Sequence, residues 1–292
     1  MNKILNPKNK TLRIAFFGTP ELTTTLLNTL AEAGMTPVVV VTGEDKPIGR
    51  KQVITAPAAK VWAMGHEVPT LQPSRLDADF LAVFKDLHID LSVVVAYGKI
   101  MPQELIDCPR LGTINLHYSL LPKYRGASPV EAALLAGEET TGITIQHMRY
   151  ALDSGPVIAS LEVPITPDET TPELRSRLND LAKPLLIESI DRLASGTATF
   201  TEQDDSHATF SKKISKADGL LDLSSDPLTN YRKYRAYFGW PGTYFFIEHE
   251  GKQMRTIIKD AEFKDNQFII KKVLPEGKKE MDYEVFKQGY LK

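Results

Sequence analysis

The apolar residues in the first part of the chain occur in short runs separated by segments with helical spacing. Such runs lie at residues 13–17, 36–42 and 91–98, and helical spacing covers residues 20–34 and 77–87. Runs that are apolar at nearly every position are typical of strands buried on both faces of a sheet. Strands that alternate with helices pair in parallel. The pattern therefore predicts an α/β domain with a Rossmann-like, mostly parallel sheet.

The later part of the chain has a different pattern. Residues 171–195 have the spacing of one long helix, and residues 196–211 are small and polar, as in a linker between domains. Residues 231–240 are expected to form a helix, and shorter segments with strand character follow at residues 243–247, 254–258 and 268–273. A chain of 292 residues is long enough for two domains. We expect a first domain over residues 1–195, a linker over 196–211, and a small β-barrel domain over 212–292.

Charge is distributed unevenly over these two parts. Residues 207–292 contain 16 Lys and Arg against 12 Asp and Glu, whereas the rest of the chain has 19 against 25. The net charge of −2 therefore hides a basic C-terminal part, which favours a polyanionic partner such as a nucleic acid. An ordinary solvated surface can have the same composition, so charge alone leaves both interpretations open.

Composition narrows the class of protein. The 42% of hydrophobic and 25% of charged residues are typical of a globular protein, and no apolar run is long enough to span a bilayer. The N-terminal residues lack the apolar core of a secretory signal, and the single cysteine, Cys108, cannot form a disulfide within the chain. We therefore expect a cytoplasmic protein that does not associate with membranes.

Two common kinds of ligand site are disfavoured. The turn after the first strand, Gly18-Thr19-Pro20, lacks the Gly-x-Gly-x-x-Gly spacing that cradles a dinucleotide. The six histidines show no spacing typical of metal ligands. We expect neither a dinucleotide nor a metal.

Candidate chemistry is concentrated at the end of a short strand. Asn115 and His117 are two positions apart and point to the same face, while Leu116 points into the packing. An amide and an imidazole side by side can hold a carbonyl oxygen and move a proton near neutral pH. Taken alone, the pair is better explained as a polar strand end with a structural histidine.

The loop that follows this pair favours catalysis. Residues 115–129 read Asn-Leu-His-Tyr-Ser-Leu-Leu-Pro-Lys-Tyr-Arg-Gly-Ala-Ser-Pro, and residues 152–155 read Leu-Asp-Ser-Gly. In this order the two segments resemble the signature of the 10-formyltetrahydrofolate-dependent formyltransferases. The resemblance implies that Asn115, His117 and Asp153 are catalytic, with the Asn115 amide donating to an oxyanion and Asp153 fixing the tautomer of His117. It also implies 10-formyltetrahydrofolate as the formyl donor, without a metal.

The same resemblance implies two folate-binding segments. They are the loop residues Ser119, Leu120, Leu121 and Pro122, and the strand end with Ala96, Tyr97, Gly98 and Ile100. Both should lie at the carboxyl edge of the sheet, where open α/β sheets bind ligands. His147 is expected to line this pocket or to be structural. After Asp153 the chain reads Ser154-Gly155-Pro156, which is more similar to glycinamide ribonucleotide formyltransferases than to the branch that acts on methionyl-tRNA.

A basic loop at residues 43–56 carries Lys46, Arg50 and Lys51. It is either a solvated surface loop or an RNA contact, because lysine and arginine neutralise phosphates. The residues Asp-Lys-Pro-Ile-Gly-Arg within it resemble the insertion loop of the branch that formylates methionyl-tRNA, where Arg50 would match the key arginine. That resemblance favours the RNA contact.

The C-terminal domain resembles the oligonucleotide-binding β-barrel of the same branch. It is short between Lys259 and Phe268, so that a strand or hairpin is expected to be missing there. We therefore expect a monomer that formylates the amino group of initiator methionyl-tRNA. The alternatives are a formyltransferase acting on sugar nucleotides or other small amines, and an inactive protein that only binds tRNA or folate.

Overall fold

The structure is a computed structural model that describes residues 12–49 and 51–291. The described strands are β1 (Ile14–Gly18), β2 (Val39–Val41), β3 (Lys46–Ile48), β4 (Val53–Thr55), β5 (Thr70–Leu71), β6 (Leu91–Val95), β7 (Thr113–His117), β8 (Arg125–Gly126), β9 (Thr140–His147), β10 (Val157–Pro164), β11 (Phe210–Ser211), β12 (Tyr244–His249), β13 (Lys252–Lys264), β14 (Gln267–Pro275) and β15 (Met281–Asp282). The described helices are α1 (Leu22–Glu32), α2 (Ala58–Gly65), α3 (Ala78–Asp86), α4 (Gln103–Ile106), α5 (Pro129–Ala136), α6 (Thr171–Ser195), α7 (Pro227–Ala236) and α8 (Tyr283–Tyr290). None of these helices has both the length and the apolar composition needed to cross a membrane.

The described residues divide into two compact units. The first comprises the residues up to 125 together with 142–163 and 176–210, and the second comprises 126–141, 164–175 and 211–291. The expected linker thus lies in the first unit as far as residue 210. There the backbones of Thr201 and Val157 exchange two hydrogen bonds of 2.8 and 2.9 Å. The division into a first domain that ends at residue 195 and a second domain that starts at residue 212 stays a prediction.

The first unit is built on a seven-stranded sheet with the order β10-β9-β7-β6-β1-β2-β5. The run from β5 to β7 is parallel, and β9 pairs with β7 in the antiparallel direction. This arrangement confirms the predicted α/β class with a mostly parallel sheet. The carboxyl ends of β1, β6 and β7 lie at the same edge, where ligands of such sheets bind.

The centre of this sheet is a rigid platform. Every residue of β1 and β6 is buried. Helix α3 packs Phe84 against Phe17 of β1 with ring centroids 5.6 Å apart, and neither ring is exposed. Burying a side chain of this size stabilises the fold by about 1.5–3 kcal/mol. The strand ends that carry polar residues are therefore held by a well-packed core.

The second unit contains a four-stranded antiparallel sheet with the order β12-β13-β14-β15. Strands β13 and β14 form a long hairpin closed by Asp265 and Asn266, whose φ angles of +51° and +59° are those of a type I′ turn. The segment between Lys259 and Phe268 is strand on both sides of this turn. The expectation that a strand or hairpin of the family's barrel is missing there stays a prediction. Closure of the sheet into a barrel stays a prediction.

Helix α7 of this unit starts earlier than the spacing of its apolar residues suggested. The sequence pattern predicted a helix over residues 231–240. The observed helix begins at Pro227, because the Asp226 side chain accepts from the Thr229 backbone N–H (2.8 Å) and caps it. The helix thereby places Tyr231 and Tyr234 in the core of the unit, next to Phe268.

Candidate active site

Strand β7 ends at the carboxyl edge of the first unit's sheet and carries Asn115 and His117 on one face. Leu116 points to the opposite face and is buried. The His117 side chain is 6% exposed. The pairing of β7 with β9 sets Gln146 opposite Asn115 and Thr144 opposite His117. The predicted amide–imidazole pair is therefore present on a rigid strand end.

Asp153 is brought to this pair by the turn between β9 and β10. Its carboxylate Oδ1 accepts from Asn115 Nδ2 at 3.2 Å, and its Oδ2 lies 3.6 Å from His117 Nδ1. The structure thus places the three predicted catalytic side chains together. The φ angle of Asp153 is +46°, a conformation that costs a non-glycine residue about 1–3 kcal/mol. Surrounding contacts must therefore hold the turn.

His117 faces hydrogen-bond acceptors on both sides of its ring. Its Nε2 lies 3.0 Å from the backbone oxygen of Tyr124, and its Nδ1 faces the Asp153 carboxylate. A carbonyl oxygen can only accept, so Nε2 carries a hydrogen. This arrangement fixes the ring plane and suits a ring that takes up and releases a proton at Nδ1.

Gln146 holds the Asp153 turn from the side of β9. Its Nε2 donates to Asp153 Oδ1 at 2.8 Å, and its Oε1 accepts from the Gly155 backbone N–H at 3.2 Å. The sequence analysis did not select Gln146. Strand alternation puts Thr144 and Gln146 on one face of β9, but only the register of β9 against β7 sets Gln146 opposite Asn115.

Gln203 holds the same turn from the segment that was predicted to be a linker. Its Nε2 donates to the backbone oxygens of Asp153 (2.9 Å) and Gly155 (2.7 Å). Its Oε1 accepts from Arg125 Nε at 3.1 Å and Arg125 Nη2 at 2.8 Å. Arg125 is 5% exposed and also donates to Asp205 at 2.7 Å. The contacts of Gln203, which is far from Asp153 in the chain, stabilise the backbone conformation of Asp153. No local sequence pattern indicated them.

Gly155 is required by the close approach of β9. A Cβ atom at this position would lie 1.8 Å from the backbone oxygen of His147. Pro156 follows it and accepts from the His147 N–H at 2.9 Å through its carbonyl oxygen, a contact that needs no N–H from the proline. The Ser154-Gly155-Pro156 departure therefore leaves Asp153 beside His117. His147 itself packs edge-on to Phe200 and takes no part in the triad contacts described for Asp153.

The predicted folate loop is folded tightly against β9. Ser119 is fully buried, its hydroxyl donates to the Lys123 carbonyl at 2.6 Å, and its own carbonyl accepts from Thr144 Oγ1 at 2.7 Å. The Leu121 N–H donates to Thr144 Oγ1 at 3.1 Å, and the Leu121–Pro122 peptide bond is cis. Ser119 thus shapes the loop, while Leu120, Leu121 and Pro122 are half-buried.

The predicted folate segment after β6 presents backbone and one apolar side chain at the surface. Ala96 and Gly98 are exposed and have φ angles of +47° and +82°, and Ile100 is 82% exposed. Tyr97 points inward and packs edge-on against Phe17 at 5.3 Å between ring centroids. Burial raises the pKa of Tyr97 to about 12, so its hydroxyl is neutral over the working pH range.

The basic segment at residues 43–56 is a β-hairpin rather than an irregular loop. Strands β3 and β4 pair from Lys46↔Thr55 to Ile48↔Val53, and all six of their residues are exposed. Lys51 is also exposed. Arg50, the third residue predicted to contact tRNA, lies outside the described residues.

Polar contacts fix the base of this hairpin to the rest of the first unit. Asp45 receives a hydrogen bond from Gln72 (2.8 Å) and forms an ion pair with Lys60 (2.8 Å). The Lys60 contact also lowers the pKa of Asp45. Gln72 donates in addition to the Gly43 carbonyl at 2.7 Å.

Over residues 12–49 and 51–291, no three His, Cys, Asp or Glu side chains are grouped so as to hold a metal ion.

Comparison with solved structures supports the fold. An N-formyltransferase from Helicobacter canadensis, in complex with folinic acid and dTDP-3-aminofucose, is similar with a TM-score of 0.63 at 14% identity. The similarity covers 89% of this chain and 95% of that one. At this identity the likeness shows a common fold.

Sequence comparison is more specific. Residues 12–190 match the model of the formyl transferase family. The methionyl-tRNA formyltransferase of Geobacter sulfurreducens is 40% identical over 245 residues, which are 84% of this chain and 77% of that protein. That of Thermotoga maritima is 41% identical over 237 residues, 81% of this chain and 76% of the relative. The chain therefore belongs to the formyl transferase family, in its methionyl-tRNA formyltransferase branch.

Proposed function

We propose that this protein transfers a formyl group from 10-formyltetrahydrofolate to the amino group of methionyl-tRNA. The observation that carries the proposal is the convergence of Asn115, His117 and Asp153 at the end of β7. The sequence identity to methionyl-tRNA formyltransferases supports the acceptor. We propose in addition that the protein acts as a monomer in the cytoplasm.

The geometry suits an acyl transfer between two nitrogens. Attack of the neutral amine on the formyl carbon gives a tetrahedral intermediate whose oxyanion needs a donor already aimed at it. Asn115 Nδ2 has two hydrogens, of which one faces Asp153 and the second can donate to that oxygen. The amine then loses a proton, the folate N10 gains one, and the bond between the formyl carbon and N10 breaks, which releases tetrahydrofolate and the formylated amine. His117, oriented by the Tyr124 carbonyl and by Asp153, is placed to carry it.

The surroundings of the site offer a surface for the folate. Ala96, Gly98 and Ile100 expose backbone groups and an apolar side chain after β6, next to β7 in the sheet. A flat heteroaromatic ring needs both kinds of contact, hydrogen bonds at its edge and apolar packing on its face. We therefore keep these residues, with Leu120, Leu121 and Pro122, as the proposed folate contacts, and assign Ser119 to shaping the loop.

The decisive test is formylation of methionyl-tRNA with initiator and elongator tRNA assayed side by side. We expect rapid formylation of the initiator species and a much slower reaction with the elongator. Absence of transfer to either tRNA would contradict the proposed acceptor. If the protein then formylated an amino sugar nucleotide instead, the catalytic assignment would stand and the acceptor would be a small amine.

The exposed hairpin should contribute to binding of tRNA but not of folate. We expect the double variant Lys46→Ala/Lys51→Ala to raise the KM for methionyl-tRNA roughly fivefold to tenfold and to lower the salt slope of binding by about two. The folate KM should not change. Arg50→Ala tests the sequence-based prediction for the third basic residue in the same assay.

Lys85→Ala is the matched control for these variants, because Lys85 is an exposed lysine on α3 of the same unit. Its tRNA kinetics and salt dependence should match those of the unmodified protein. A double variant with an unchanged salt slope would show that Lys46 and Lys51 make no phosphate contact.

A further inference from the structure

Gln146 is a buried polar side chain in the site to which the acyl-transfer mechanism above assigns no role. It lies on β9, directly opposite Asn115, and is 1% exposed. Burying a side-chain amide costs little free energy only when its donors and its acceptor have hydrogen-bond partners. Both ends of this amide have partners, and both partners belong to the turn that carries Asp153.

The chemistry of these partners fixes which way the amide points. The Gly155 backbone N–H can only donate, so Gln146 Oε1 faces it at 3.2 Å. An ionised carboxylate can only accept, so Nε2 faces Asp153 Oδ1 at 2.8 Å. Reversing the amide would set like groups against each other at both ends. Gln146 therefore ties the Asp153 carboxylate to the backbone two residues further along.

With Gln146 in place, the two oxygens of the Asp153 carboxylate have different partners. Oδ1 accepts from the amides of Gln146 and Asn115, which leaves Oδ2 directed at His117 Nδ1. The Gln146 bond is the shorter of the two, 2.8 Å against 3.2 Å for Asn115. Without it, Asn115 would be the only one of the two amides left to hold Oδ1. Rotation of the carboxylate would then both withdraw Oδ2 from the imidazole and change the aim of the Asn115 amide.

We propose that Gln146 is a positioning residue for formyl transfer, which acts by setting the rotation of the Asp153 carboxylate toward His117. The proposal rests on the role of Asp153 in the proposed function. It requires no contact between Gln146 and either substrate. Removing the Gln146 amide should therefore lower the rate of the chemical step and leave substrate binding nearly unchanged.

The first measurement is the kcat and KM of Gln146→Met, which keeps the side-chain length and removes both hydrogen bonds. We expect kcat to fall about 10- to 100-fold, as for loss of a hydrogen bond to a charged group, with both KM values changed by less than about twofold. Gln146→Asn keeps the amide but is one methylene shorter and cannot span both partners. It should lose kcat to a similar extent, and it replaces Gln146→Met if that variant does not fold.

Gln103→Met is the matched control. Gln103 Nε2 donates to both oxygens of Asp107 at 2.8 Å, and its Oε1 accepts from the Tyr150 N–H at 3.0 Å. It therefore makes the same kind of carboxylate-to-backbone bridge in the same unit, but to a carboxylate outside the site. Its backbone partner Tyr150 lies in the same turn between β9 and β10 as Asp153, so this variant removes one anchor of the turn without touching the Asp153 carboxylate. Its kcat should be unchanged. An equal loss of kcat in both variants would overturn a specific role for Gln146.

A double-mutant cycle separates positioning from general destabilisation. In an Asp153→Asn background, Gln146→Met should lower kcat by less than about threefold, because a residue that acts through Asp153 has nothing left to position. Losses that multiply would overturn the proposal for Gln146 while leaving Asp153 in its role. A fully active Asp153→Asn variant would instead overturn the assignment of Asp153, on which the inference depends.

Discussion

Asp153→Asn should lower the kcat for formylation of methionyl-tRNA about 100- to 10,000-fold, the range expected when a proton-transferring pair loses its charged member. Asparagine keeps the shape of the side chain but presents no negative charge to His117 Nδ1, which lies 3.6 Å from Asp153 Oδ2. Asn also tolerates the left-handed backbone conformation that Asp153 adopts. The turn should therefore survive the change, and only the chemistry should be lost.

The measurement is single-turnover formylation, with folate affinity determined separately by calorimetric titration with 5-formyltetrahydrofolate. The folate dissociation constant should stay within about twofold, because the reaction depends on Asp153 more strongly in the transition state than in the bound ground state. Asp107→Asn is the matched control, since Asp107 is exposed and also hydrogen-bonded to a glutamine. Near-normal turnover of Asp153→Asn would remove Asp153 from the mechanism.

Asn115→Ala should lower kcat and kcat/KM together by about 100- to 1,000-fold, as for the loss of one oxyanion donor. The alanine removes the donor for the oxyanion and one of the two amides that hold Asp153 Oδ1. The backbone of β7 is paired on both sides and should not move. The loss should therefore appear in steady-state formylation without a change in melting temperature beyond a few degrees.

Asn28→Ala serves as the control for this second variant. Asn28 is exposed on α1 and accepts from Trp62 Nε1 at 2.6 Å, so the change costs one hydrogen bond away from the site. Its kcat should match that of the unmodified protein. An Asn115→Ala variant that raised KM and kept kcat would assign Asn115 to substrate binding rather than to the oxyanion.

Much of the fold could be predicted from local patterns. The buried strands β1 and β6 are apolar at nearly every position, and this pattern needs no knowledge of the rest of the chain. The start of α7 was misplaced because the Asp226-Pro227 capping signal precedes its periodic residues. The β13–β14 hairpin was missed because its turn residues are Asp265 and Asn266, which adopt positive φ without the glycine that usually marks a type I′ turn.

The candidate site, too, could be predicted only in part from the sequence. Asn115 and His117 are two residues apart on one strand, so their common face follows from strand geometry. Asp153 was placed beside them by the resemblance of Leu152-Asp153-Ser154-Gly155 to a family motif, and the structure has it there. Gln146 carried only the signal of strand alternation, and Gln203 carried none.

The sequence by itself determined the strand and helix order of the first unit, the polar pair at the end of β7, and, through family resemblance, the chemistry. These features depend on residues close together in the chain. Only the tertiary structure decided what holds Asp153 in place, because that depends on the register of β9 against β7 and on the return of Gln203 to the turn. A buried amide can be satisfied by many partners, and its sequence position does not say which. The partners are set by the register of β9 against β7 and by the return of the chain to the turn, and both depend on the packing of the whole unit. These partners orient the Asp153 carboxylate.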